Sequence, residues 1–307
     1  MISTRAYLRL VGFIAAILVA GCSAPFSTTG ALSPSGNAVQ ASPQSVALAN
    51  YYSDLQQQMR LRGLLQLDDS VAKMTVTPNI LTRNFEAIAL FDEYRLVGSE
   101  LVPQSTPSLL RRWEQPIRMD VEFGDSVPIS IQNSDSHFLA SYAQRLSQVS
   151  GHPITMTSRD PNYLVLIVGE DDRIAAVERL RDFVPGISEN AIAALINLPR
   201  SRLCMVYAVP STTNPLAYGK SIAIIRSEHP TLLRQSCIHE EVAQGLGLAN
   251  DSPYARPSIF NDDEEFGFLT VHDEMLLNIL YDRRLSVGMT ADQARPIVQK
   301  IAHELAG

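Results

Sequence analysis

The stretch His239-Glu240-Glu241-Val242-Ala243-Gln244-Gly245-Leu246-Gly247-Leu248-Ala249-Asn250-Asp251 sets adjacent carboxylates, two amides and two glycines close together. Residues 231–248 read as a helix that runs into a glycine-rich end. On such a helix Glu240 and Gln244 lie one turn apart and share a face, whereas His239 points about 100° away from Glu240. His239 therefore reads as a packed or rim residue, and the apparent His-Glu pair is misleading. The polar face belongs to Glu240, Glu241 and Gln244, with Asn250 and Asp251 following the turn.

Working outward, Ile117, Met119, Val121 and Phe123 alternate with polar residues, which predicts a half-buried strand after Trp113, itself a core residue. A helix is expected from about Ser134, with Phe138, Leu139, Tyr142, Leu146 and Val149 inward and Gly151 closing it. Residues 163–168 are continuously apolar and predict a buried strand, residues 171–183 a charged helix, and 204–209 and 221–225 two further strands. Thr270 with Asp273, and Thr290 with Gln293, are spaced as capping boxes that open the last two helices. Towards the N-terminus, residues 46–67 are helical and partly amphipathic, and Leu81, Phe85, Ile88 and Leu90 make a helical or mixed stripe after Pro78. Residues 98–108 are polar with two prolines, which predicts a boundary. The class is α+β: a mixed sheet with a motif-bearing helix, plus an N-terminal helical segment. The expected divisions are 1–21 leader, 22–45 tether, 46–108 helical segment, 109–285 main domain and 286–307 C-terminal helix.

Zinc metalloproteases carry His-Glu-x-x-His, two imidazoles one turn apart with a glutamate base between them; the metzincin form adds a glycine and a third histidine. With Glu241 placed on the base, Gly247 falls on that glycine, and Glu240, Gln244 and Asn250 occupy the three ligand positions. The segment thus resembles a zincin whose imidazoles have all become oxygen side chains. Residues 113–123 resemble the first metzincin strand, and 269–281 the helix beyond the active-site turn, but no methionine lies between Asp251 and Thr270 to form a Met-turn. Cys237-Ile238, Glu240-Glu241, Gln244, Leu246-Gly247-Leu248 and Asn250-Asp251, with Asn84-Phe85 and Asp92-Glu93-Tyr94 upstream, resemble a family of proteobacterial lipoproteins, domain of unknown function 2927. That resemblance covers most of residues 78–285 and implies export and a zincin-like domain without an established activity.

Amide oxygens are weak zinc donors, so no zinc is expected. A hard cation such as calcium, held by Glu240, Glu241 and Asp251, is one alternative; a hydrogen-bonded polar cluster that holds no ion is the other. Should the site take a metal, His272 is the best-placed imidazole. His229 reads as a loop residue, and the acidic run 262–265 as a solvated loop near enough to rim a cleft.

The N-terminus begins with Arg5 and Arg9, continues with an apolar run over 10–20, and reaches Val19-Ala20-Gly21-Cys22, which resembles a lipobox; an ordinary signal peptide with a stray cysteine is the other reading. Cleavage before Cys22 and its acylation, palmitate included, would tether the chain to a membrane. Ser23 after that cysteine is similar to outer-membrane cargo. Without Arg5 and Arg9 the chain keeps 23 basic against 32 acidic residues, a net −9, and no basic cluster, which excludes nucleic acid as a natural partner. Of three cysteines, lipidation leaves Cys204 and Cys237, an even number outside the cytoplasm, expected to pair; two buried thiols are the alternative. Serine-hydrolase elbow, Walker loop, dinucleotide fingerprint and Cys-x-x-Cys are all missing. The expected function is non-catalytic binding of a protein, peptide or glycan in the cell envelope. The alternatives are a hydrolase with Glu241 as general base, using an oxygen-ligated ion or none, and an assembly factor that binds through its N-terminal helical segment.

Overall fold

A computed structural model describes residues 40–67, 76–97, 100–261 and 263–307. Cys22, the leader and most of the tether lie outside the described residues. Among those described, no helix is long and apolar enough to cross a membrane.

The architecture is α+β, built on a five-stranded mixed sheet. Strands β3 (Ile117–Phe123), β4 (Ile154–Met156), β5 (Tyr163–Val168), β6 (Cys204–Pro210) and β7 (Tyr218–Arg226) take the order β4-β3-β5-β7-β6. The first four in that order run parallel, and β6 closes one edge antiparallel to β7. The unbroken apolar run of β5 follows from burial on both faces. Tyr163, Val165 and Ile167 enter the larger core with Ala223 and Ile225 of β7. Leu164, Leu166 and Val168 enter a second core with Ile222 and Ile224.

Helices cover both faces. On the second core lie α4 (Arg173–Phe183) and α5 (Glu189–Ile196), which contribute Ala176, Leu180, Ile192 and Leu195. The larger core takes in α2 (Pro78–Ala89), α3 (Ile129–Ser150), α6 (Thr231–Gln244), α7 (Val271–Tyr281) and α8 (Ala291–Ala306). Both expected capping boxes form, at Thr270 with Asp273 and at Thr290 with Gln293. A buried ion pair, Arg234 to Asp135 at 2.5 Å, ties α6 to α3.

Several expectations need correction. Residues 98–108 are not a boundary: β1 (Phe91–Val97) and β2 (Glu100–Pro107) pair as an antiparallel two-stranded sheet. Nor is 46–108 a separate helical segment, since Leu81, Phe85 and Ile88 of α2 sit at zero exposure in the same core as Val298 and Ile301 of α8. α3 starts at Ile129, behind Pro128, rather than near Ser134. α5 and β4 were not anticipated. α6 stops at Gln244 rather than 248, because Gly247 takes φ +127° and turns the chain. The first helix, α1 (Pro43–Leu61), buries Tyr52 and Met59 against Leu65 and Leu233.

Candidate functional site

Both ends of α6 are secured by other parts of the chain. Its N-cap, Pro230, has no side chain to offer the first amides, and Gln56 Oε1 of α1 accepts from Leu233 N at 2.9 Å instead. Near the C-terminal end buried aromatic donors take the carbonyls. The Trp113 indole donates to Gly245 O at 2.8 Å, the Tyr163 hydroxyl to Glu241 O at 2.9 Å, and the Tyr281 hydroxyl to Leu246 O at 2.9 Å. The two glycines permit this closeness: a Cβ on Gly245 would overlap Tyr163 Oη, and one on Gly247 would overlap Arg111 O. A disulfide joins Cys204 of β6 to Cys237 of α6, as the cysteine count predicts.

The polar side of α6 thereby opens on a cleft of about 930 Å³. One wall is edge strand β6; the others are α1 through Tyr51 and Leu55, β1 through Glu93 and Tyr94, and the loop after α6 through Asn250, Asp251 and Glu264. Glu240, Glu241, Gln244, Asn250 and Asp251 all line this one space, so the fold brings the sequence candidates together. Their side chains are not equally available. Gln244 Nε2 donates to Asp251 Oδ1 at 2.9 Å. Asn250 Nδ2 donates to Ala87 O at 2.7 Å, and its amide to Ile88 O, so it fastens the loop to the end of α2.

Glu241 is 5% exposed, and its Oε2 has no hydrogen-bond partner. Burial pushes its pKa well up; the charges of Glu93, Asp251 and Glu264 add to the rise, and a backbone hydrogen bond from Val206 opposes it. Glu240 is raised by burial first, then by Glu264, Asp251, Glu241 and Glu93. Two adjacent carboxyls are therefore set to share protons or to meet a cation. Cys204 Sγ and the carboxylates of Glu240 and Glu241 approach one another within 4.8 Å, but the sulfur is held in the disulfide and offers no thiolate.

The histidines lie elsewhere. His239 is stacked between Tyr142 and Phe268 at 3.8 and 4.5 Å, with Nδ1 accepting from Leu269 N. His272, the candidate imidazole, does not line the cleft: it is fully buried with Nε2 3.1 Å from Asn84 Nδ2 of α2. His229 does lie in the loop between β7 and α6, but it is buried there, edge-on to Tyr52 and 2% exposed. Of the acidic run, Glu264 faces the cleft while Asp263 and Glu265 pair with Arg256; Asp262 lies outside the described residues. Glu93 and Tyr94 were signalled in the sequence only through the family resemblance, and Arg202 not at all. Glu93 and Tyr94 belong to β1, and the Arg202 guanidinium stacks 4.3 Å over the Tyr94 ring.

The family described as "Protein of unknown function (DUF2927)" matches residues 78–300. The chain belongs to this family. The DUF2927 region starts on the first residue of α2 and ends inside α8, so it contains α6, β6, the hairpin and the acidic loop. The α1 wall of the cleft and the Gln56 cap precede the matched DUF2927 residues. Comparison with curated proteins finds no match.

Proposed function

We propose that this protein is a non-catalytic binding lipoprotein of the cell envelope, anchored through Cys22, and that its cleft descends from a metalloprotease site. What supports the zincin-like part is a mixed sheet with an antiparallel edge strand, whose neighbour β7 leads into a motif helix and a glycine turn. The observation that carries the binding reading is the state of the ligand positions. Gln244 and Asn250 donate through their amide nitrogens to Asp251 and Ala87, so what they can offer an ion is a neutral amide oxygen in place of an imidazole. Among the described residues no histidine lines the cleft, and the nearby sulfur is a disulfide sulfur. Zinc, which favours imidazole and thiolate, does not fit this donor set. The remaining cleft, bordered by a sheet edge, is the right size for an extended peptide segment or a short glycan.

The test is exposure of the purified chain to a broad peptide library. The expected result is capture without cleavage; cleavage lost on Glu241→Gln would sink the proposal. A second reading, a hydrolase with Glu241 as proton donor or base, draws on its raised pKa and unpartnered oxygen. It requires turnover in at least one of a series of added divalent metals, or with none, and uniform inactivity would remove it.

A further inference from the structure

We infer that the cleft binds one hard divalent cation of calcium size through the carboxylates of Glu240 and Glu241. This rests on reading the cleft as a binding site and adds what governs it. Carboxylate oxygens of these two residues approach within 4.8 Å, a span that one ion with metal–oxygen distances of about 2.3–2.6 Å can bridge. The second, independent observation is Glu241, a cleft-lining residue buried to 95%, whose Oε2 has no hydrogen-bond donor. An acceptor stripped of water and left without a donor is costly unless something positive meets it. The field around the pair is negative, since Glu93, Asp251 and Glu264 are the charges that act most strongly on it.

The donor chemistry selects the ion. Carboxylate and amide oxygens suit calcium, which tolerates irregular geometry and six to eight oxygens, better than magnesium, which demands a near-ideal octahedron. The closed disulfide withholds Cys204 Sγ, the sulfur beside the two carboxylates that as a thiolate would favour zinc. An ion here would sit between α6 and edge strand β6 and present a positive centre to an anionic or oxygen-rich partner.

The experiment titrates calcium alone into the full chain with its disulfide closed, using equilibrium dialysis and thermal melting. One saturable equivalent is expected, with a melting temperature that rises with calcium and returns on chelation, and with weaker binding of zinc and magnesium. The double variant E240Q/E241Q is expected to lose saturable binding and the thermal shift, while its chelated form melts no lower than the parent. Asp251→Asn, which keeps an acceptor for Gln244, is expected to weaken calcium about tenfold and covers the case in which the double variant does not fold. Terbium luminescence excited through tyrosine, which Tyr94 and Tyr207 in the lining permit, is expected to fall as calcium displaces it. Failure to bind at millimolar calcium, undiminished binding in the double variant, or preference for zinc with the disulfide closed would each overturn the inference. Peptide cleavage by the calcium-loaded protein would overturn the binding proposal and leave the ion site standing. Partner capture without calcium binding would do the reverse.

Discussion

Gly245 and Gly247 show why single positions matter at the turn below the cleft. Each lies where a Cβ would overlap a neighbour, the Tyr163 hydroxyl or the Arg111 carbonyl, and Gly247 also has φ +127°. Gly247→Ala meets immovable backbone as well as backbone strain, and is expected to cost more than the roughly 1–3 kcal/mol of ordinary overpacking. Gly245→Ala is expected within that range, since Tyr163 can shift at the expense of its bonds to Glu241 and Val242 carbonyls. Urea denaturation orders the two, and equal losses would contradict the distinction. At this scale the motif itself was legible, because Glu240, Glu241, Gln244, Asn250 and Asp251 are close in sequence. His272 was not: its distance from the cleft depends on α7 packing against α2, which no local spacing encodes.

The elements around α6 explain how the cleft keeps its shape. α1 caps the helix through Gln56 and walls the cleft with Tyr51 and Leu55. Gln56→Ala is expected to cost about 1 kcal/mol, the usual worth of a helix cap, measured as a lowered urea midpoint. Deleting residues 46–100 removes α2 with Leu81, Phe85 and Ile88 from the main core, so the shortened chain is expected to lose cooperative unfolding rather than report on α1 alone. The disulfide closes a separation of 33 residues between β6 and α6. Replacing both cysteines by serine is expected to lower stability by roughly 3 to 4 kcal/mol on the chain-entropy account. Strand β5 was legible because burial on both faces leaves a continuous apolar run. The β1–β2 hairpin was not: its order depends on the pairing of two short stretches, and residues 98–108 are polar with two prolines, as in a linker.

For the whole molecule, buried ionisable groups oppose one another in pH. Burial lowers His229 and His239 to about 3, helped by Arg226 and Arg234 for the first and Arg145 for the second. A folded value below the unfolded one means that their contribution is present above about 6.5 and is lost as pH falls. Each is expected to cost about 1.4 kcal/mol at pH 5.5 relative to pH 7.5. Glu240 and Glu241, raised by burial, act in the other direction: their contribution is present at low pH and lost as pH climbs through the raised values. E240Q/E241Q is therefore expected to be more acid-sensitive than the parent when urea midpoints are compared at the two pH values. Matching pH profiles would contradict this.

What the sequence by itself determined is local: strand and helix periodicities, both capping boxes, the glycine turn, the cysteine pairing and the grouping of five polar residues at the end of one helix. These depend on residues within a few turns of one another, or on cysteine parity, and periodicity and composition report such things directly. What only the tertiary structure decided is who faces that group. Glu93, Arg202 and Glu264 reach the cleft from a hairpin, a strand entry and a loop far apart in the chain. Their convergence follows from the sheet order and from the burial of α2 beside α8, long-range packing that leaves no periodic trace in sequence. The paired glutamates stand out in the chain, but their low-dielectric, negative surroundings, which give them their chemistry, exist only once it has folded.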